Sequence, residues 1–194
     1  MKKYCLLLLF VAAGCAGKVA RLESDYAVDL SGRWNDIDSQ MVAQTLIEQA
    51  VSSGWYRSFK AKHSKKPAVI VGRVSNKTME HINVQTFTKD LEKAMLNTGE
   101  IDIVASSEER KEVRKERDEM QEWASIESRK ELANETGADF MLKGVLNSII
   151  DEEGGKKVVY YQADLNLINV ENNNIIWAGQ KKLKKYIKKP LFKF

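Results

Sequence analysis

The chain has 194 residues with only two cysteines, two histidines and two prolines, and 31 Lys and Arg against 27 Asp and Glu give a formal charge of +4. So small a basic excess does not mark a nucleic-acid binder, and the scarcity of proline beside 11 glycines excludes a long low-complexity region. Neither His63 nor His81 stands in a metal-ligand or catalytic spacing, so no transition-metal site and no enzyme is expected.

Lys2 and Lys3 precede an apolar run of about eleven residues, too short to span a bilayer, which ends in the small residues Val11, Ala12, Ala13 and Gly14. That order predicts an export signal. Ala12-Ala13-Gly14-Cys15 resembles the lipobox of bacterial lipoproteins, with Ala12 where that motif usually holds Leu. The resemblance implies cleavage before Cys15 and a diacylglycerol on its thiol. Ala16, where inner-membrane retention favours Asp, implies sorting to the outer membrane. The expected divisions are a signal at 1–14, a tether at 15–29 and one globular domain at 30–194. Cys5 lies in the part removed, so the mature chain forms no internal disulfide and folds on its core alone. Loss of Lys2 and Lys3 takes the formal charge from +4 to about +2. Roughly 22 residues from Cys15 towards the first helix reach at most about 75 Å.

The first helix is expected after a cap at Asp38 or Ser39, with Met41, Val42, Leu46, Ala50 and Val51 at helical spacing and Gly54 at its end. A polar, basic loop through His63 and Lys66 follows, and then Ala68-Val69-Ile70-Val71-Gly72-Arg73-Val74 reads as an interior strand buried on both faces. Residues 84–96 predict a helix that buries Phe87, Leu91, Ala94 and Met95 and stops at Gly99. Residues 101–104 predict a short strand. Ser106 or Ser107 caps a charged helix over 108–117 with almost no apolar face, and after a break near Trp123 another helix is expected over 126–136. Period-two alternation then marks strands from Phe140 and from Val159, joined by 151–155, with a third strand beginning at Ile175 after the turn at 171–174. Helices first and an antiparallel meander last predict an α/β sandwich with a mixed sheet.

Several of these segments resemble the LpoB-like outer-membrane lipoproteins, which activate bifunctional class A penicillin-binding proteins. They are Leu30-Ser31-Gly32-Arg33-Trp34-Asn35-Asp36-Ile37-Asp38-Ser39, Val71-Gly72-Arg73-Val74-Ser75-Asn76-Lys77-Thr78, residues 131–144 and Asn174-Ile175-Ile176-Trp177-Ala178-Gly179. The resemblance implies a fold like the N-terminal domain of TolB and a monomeric domain that raises the activity of a class A penicillin-binding protein. From charge and residue inventory, no cofactor, nucleic acid or small-molecule substrate is expected. Better-known members carry a longer, proline-rich tether, and residues 16–29 hold no proline. The same fold also suits a structural or secretion-associated envelope lipoprotein, which stays as the alternative.

Two sets of residues are candidates for binding the partner. Ser75, Asn76, Lys77 and Thr78 form a polar stretch after a buried strand, where a rigid scaffold presents contacts. Lys181, Lys182, Lys184 and Lys185 belong to a basic run suited to an acidic protein surface or to lipid head groups, although such a run more often guards a sheet edge. Arg33, Trp34 and Asn35 either meet a partner or pin the tether, and Trp177 reads as a core aromatic.

Overall fold

The computed structural model describes residues 19–23, 26–125 and 135–188. The export signal, Cys15 and residues 126–134 of the expected fourth helix lie outside the described residues. No helix among the described residues is long and apolar enough to cross a membrane.

The first helix, α1, is Asp36–Ser52. Its cap is Asn35 rather than Asp38 or Ser39: the Asn35 amide oxygen accepts from the Asp38 N–H at 3.0 Å while the Asp38 carboxylate accepts from the Asn35 N–H at 3.0 Å. This reciprocal capping box places Asp38 and Ser39 inside the first turns, where both are buried. Val42, Ala43, Leu46, Ile47 and Ala50 form the buried stripe. Gly54 does not simply end the helix; it opens α2, Gly54–Lys62, in a stretch expected to be loop. Trp55 and Phe59, four residues apart, hold α2 to the sheet through edge-to-face contacts with Phe140 at 5.3 and 5.5 Å.

Strand β1, Ala68–Lys77, runs three residues beyond its expected end, because Ser75, Asn76 and Lys77 pair with Val145, Leu146 and Asn147. Helix α3, Val84–Thr98, buries Phe87, Leu91 and Met95 and ends at Gly99, whose φ of 67° is the left-handed conformation of a helix stop. Strand β2 is Asp102–Ile103. Helix α4, Ser107–Trp123, is capped by Ser106 and buries none of its residues, and its end at Trp123 coincides with the expected break.

The long strands are β3, Phe140–Glu153, β4, Lys156–Asn169, and β5, Ile175–Lys188. Residues 151–153, expected in a turn, stay in the ladder, and the chain reverses over Gly154 and Gly155 alone, at φ of 55° and 76°. Those angles suit a two-residue hairpin turn that matches the twist of the strands. The five strands lie in the order β2-β1-β3-β4-β5, parallel among the first three and antiparallel from β3 to β5, which is the mixed sheet with a terminal meander. One face carries Val69, Phe140, Leu142, Leu146, Ala163, Leu165 and Leu167 against α1, α2 and α3. Gly144 keeps β3 against β4, since a Cβ there would lie 2.4 Å from Leu165 Cδ2.

Candidate functional site

Alternation along the strands sends every second side chain to the face opposite the core. On that face register aligns residues from β1, β3, β4 and β5. Lys77, Asn147, Gln162 and Lys182 stand in one row, and Ser75, Val145, Asp164 and Gln180 in the next. Four strands at about 4.8 Å put the two lysines of the first row roughly 14 Å apart. The two stretches singled out in the sequence, remote along the chain, therefore meet on one surface.

The middle of this face is a hydrogen-bonded network around one carboxylate. Gln162 Nε2 donates to Asp164 Oδ2 at 2.8 Å, Gln180 Nε2 donates to Asp164 Oδ1 at 2.7 Å, and Tyr160 donates its phenol proton to Gln162 Oε1 at 2.9 Å. Such a network fixes three amide and phenol groups in place before any partner arrives. Lys77, Lys182 and Lys184 flank it, exposed, and none of them forms an ion pair with another described residue. The strand alternation places Asn147, Gln162 and Asp164 in the polar phase. That phase alone reads as solvent-facing, and their convergence comes only from register.

Not all the candidate residues reach this face. Asn76 points to the helix side, where its Nδ2 donates to the Glu80 carbonyl at 2.8 Å and its Oδ1 accepts from the Thr78 hydroxyl at 2.7 Å, so both side chains shape the turn after β1. Lys181 is half-buried on the helix side of β5. Lys185 lies on that side as well, 13% exposed, with its Nζ 2.8 Å from Asp29 Oδ2, 2.5 Å from Asp38 Oδ2 and 2.9 Å from the Arg33 carbonyl. Burial works against the charged ammonium, but the two carboxylates outweigh it and raise the Lys185 pKa. The hydrogen bond from Lys185 in turn lowers that of Asp29. This tie joins residues 152 apart and has no local signal in the sequence.

Trp34 pins the same segment. Its ring stands edge-on to Phe87 at 5.9 Å and to Tyr161 at 5.6 Å, and the Trp34 backbone N–H donates to Glu80 Oε2 at 3.2 Å. Tyr161, fully buried, donates to the other oxygen of Glu80 at 2.8 Å, and burial followed by the Glu80 carboxylate raises its phenol pKa. Trp34 and Asn35 thus attach the incoming chain to the domain. Trp177 packs against the core and over Gly179, where a Cβ would fall 2.3 Å from the ring.

Ser39 is 2% exposed and gives its proton to Asp90 at 2.5 Å, which ties α1 to α3 rather than arming a nucleophile. His81 lines a cleft of about 300 Å³ beside Trp34, and His63 lies over Phe59 at 4.5 Å. No group of three or more His, Cys, Asp or Glu suited to a metal occurs among the described residues.

Residues 38–183 match the family model described as peptidoglycan-synthase activator LpoB. Among solved structures, the LpoB C-terminal domain from Salmonella enterica is 18% identical, with 75% of this chain and 98% of that chain covered at a TM-score of 0.42. The corresponding Escherichia coli domain is 16% identical over 78% of this chain and 99% of that chain, with a TM-score of 0.41. Lipoprotein GNA1162 from Neisseria meningitidis is 11% identical over 62% and 83%, with a TM-score of 0.39. A comparison with curated proteins gives no match.

Proposed function

The chain belongs to the family of LpoB peptidoglycan-synthase activators, and from that membership we propose that it is a non-catalytic lipoprotein of the outer membrane that binds and activates a class A penicillin-binding protein from the periplasmic side. The observation that carries this reading is the match of residues 38–183 to the activator family. Cys15 is the lipid-bearing residue, residues 15–29 the tether and the following domain the activator.

We place the docking site on the sheet face opposite the helices, along the rows that end in Lys77 and Lys182. Two features support the placement. The network around Asp164 holds its polar groups in fixed directions, which lowers the entropy lost on binding. The unpaired lysines at either end attract an acidic surface on the synthase and bias its approach. Asn76 and Thr78 serve this surface indirectly, by setting the turn that follows Lys77.

The test is binding of the full mature chain to each class A synthase of its organism. Lys77→Glu with Lys182→Glu is expected to weaken association by about twenty-five-fold, roughly fivefold for each reversed charge. Binding that is unchanged by both reversals places the synthase on another face.

A further inference from the structure

The segment that enters the domain from the tether is fixed beside the last residues of β5. Asp29 is held by Lys185 Nζ at 2.8 Å, and its Oδ1 accepts the Gly32 N–H at 2.8 Å. Gly32, at φ 66°, lies so close to Ile187 that a Cβ would fall 2.3 Å from Cγ1. The tether therefore leaves the fold at the C-terminal end of the edge strand. From Cys15 to Asp29 a relaxed chain spans only about 21 Å.

That same edge is basic and partly apolar. Strand β5 contains no Asp or Glu, and Lys184 and Lys188 project from it exposed, without an ion pair to another described residue. Tyr186, between them and on the same face, is 61% exposed. Its cross-strand neighbour is Val158, and that of Lys184 is Tyr160. The acids of the region, Asp151, Glu152 and Glu153, lie on β3, roughly 10 Å away across β4. An exposed phenol between long basic side chains is the pattern of a surface seated at a lipid head-group layer.

We propose that the C-terminal edge of β5, through Lys184, Tyr186 and Lys188, lies against the anionic head groups of the membrane that holds the lipid anchor. The inference rests on the reading of Cys15 as that anchor. The tether supplies a high local concentration of membrane, so a contact too weak to recruit a free domain suffices to orient a tethered one. The rows ending in Lys77 and Lys182 share this face but lie before the strand end along β5, the row of Lys182 roughly 7 Å from that of Lys184.

The experiment uses the mature lipidated chain incorporated into vesicles of phosphatidylcholine alone or mixed with phosphatidylglycerol, with amide hydrogen exchange read along the chain. Exchange over residues 182–188 is expected to slow by about twenty-five-fold in the mixed vesicles, roughly fivefold per lysine, and to return to the phosphatidylcholine rate in Lys184→Glu/Lys188→Glu. Amides of α1 report that the variant stays folded. Equal rates in the two vesicles, with the chain incorporated in both, overturn the membrane contact and leave the synthase reading standing. Slowing that appears only when a purified class A synthase is added to phosphatidylcholine vesicles also overturns it and assigns the edge to the protein partner. A chain that enters neither vesicle removes the anchor and the contact with it.

Discussion

Two side chains fix the entrance of the chain into the domain, and they act by different physics. Trp34 contributes apolar area between Phe87 and Tyr161, whereas Lys185 neutralises Asp38 in a site where Asp38 is only 8% exposed. Lys185→Met leaves that carboxylate buried without its cation and is expected to cost about 3 kcal/mol. Thermal unfolding checks this: a fall in Tm of about 6–12 °C is expected for a domain of this size, and an unchanged Tm contradicts the tie. A second residue responds to pH. The Ser106 backbone N–H, the Lys89 ammonium and the Ser106 hydroxyl hold Glu109 down at about 2 from an ordinary 4.5. A depressed folded pKa means stability that is present above pH 4.5 and lost as pH falls towards 2. Glu109 is about half exposed, so solvent screens the effect and it stays local. Protection of the amides in the first turn of α4, taken relative to the intrinsic exchange rate at each pH, is expected to fall across that window and to stay level in Glu109→Gln. Protection independent of pH in the native chain contradicts the assignment.

At the scale of elements, sequence period was informative wherever a single face is buried. The alternation of Val159, Tyr161, Ala163, Leu165 and Leu167 marks the core face of β4, and all five are buried. The spacing of Phe87, Leu91 and Met95 does the same for α3. Short elements anchored by few residues were less legible. Helix α2 buries only Phe59, and its lysine-rich remainder resembles a loop, although Trp55 and Phe59 at four-residue spacing carried the signal. Likewise Ser75, Asn76 and Lys77 are strand because β3 offers them partners, which no local preference encodes. Tertiary pairing decided both cases. The cap of α1 moved from Asp38 to Asn35 because an Asn three residues before an Asp forms a capping box as well as Ser before Glu does. Asn35→Ala should therefore lower stability by about 1 kcal/mol, read from denaturant midpoints. In β5, Gly179→Val forces the Trp177 ring off its place and is expected to cost about 1–3 kcal/mol. Retention of full stability together with the native Trp fluorescence spectrum contradicts that packing.

Across the described residues the fold is a sheet with helices α1, α2 and α3 on one face and rows of amides and lysines on the other. Its family membership supports the proposed role, and strand register supports the proposed docking surface. Of that surface, the lysines at both ends were visible in the sequence as polar and basic stretches. The centre around Asp164 was not, because four residues drawn from three strands meet only after β3, β4 and β5 are paired. The division of the basic run followed from the same pleat: Lys182 and Lys184 face out, while Lys185 turns inward to Asp29 and Asp38. The most direct measurement is the rate of glycan-strand polymerisation by purified class A penicillin-binding proteins of the same organism, with the mature chain added as native protein and as Lys77→Glu/Lys182→Glu. A higher rate is expected with the native chain, and a loss of that increase in the charge-reversed variant, whose circular dichroism and Tm match the native protein. No increase with any synthase, or an increase that survives both reversals undiminished, contradicts this expectation.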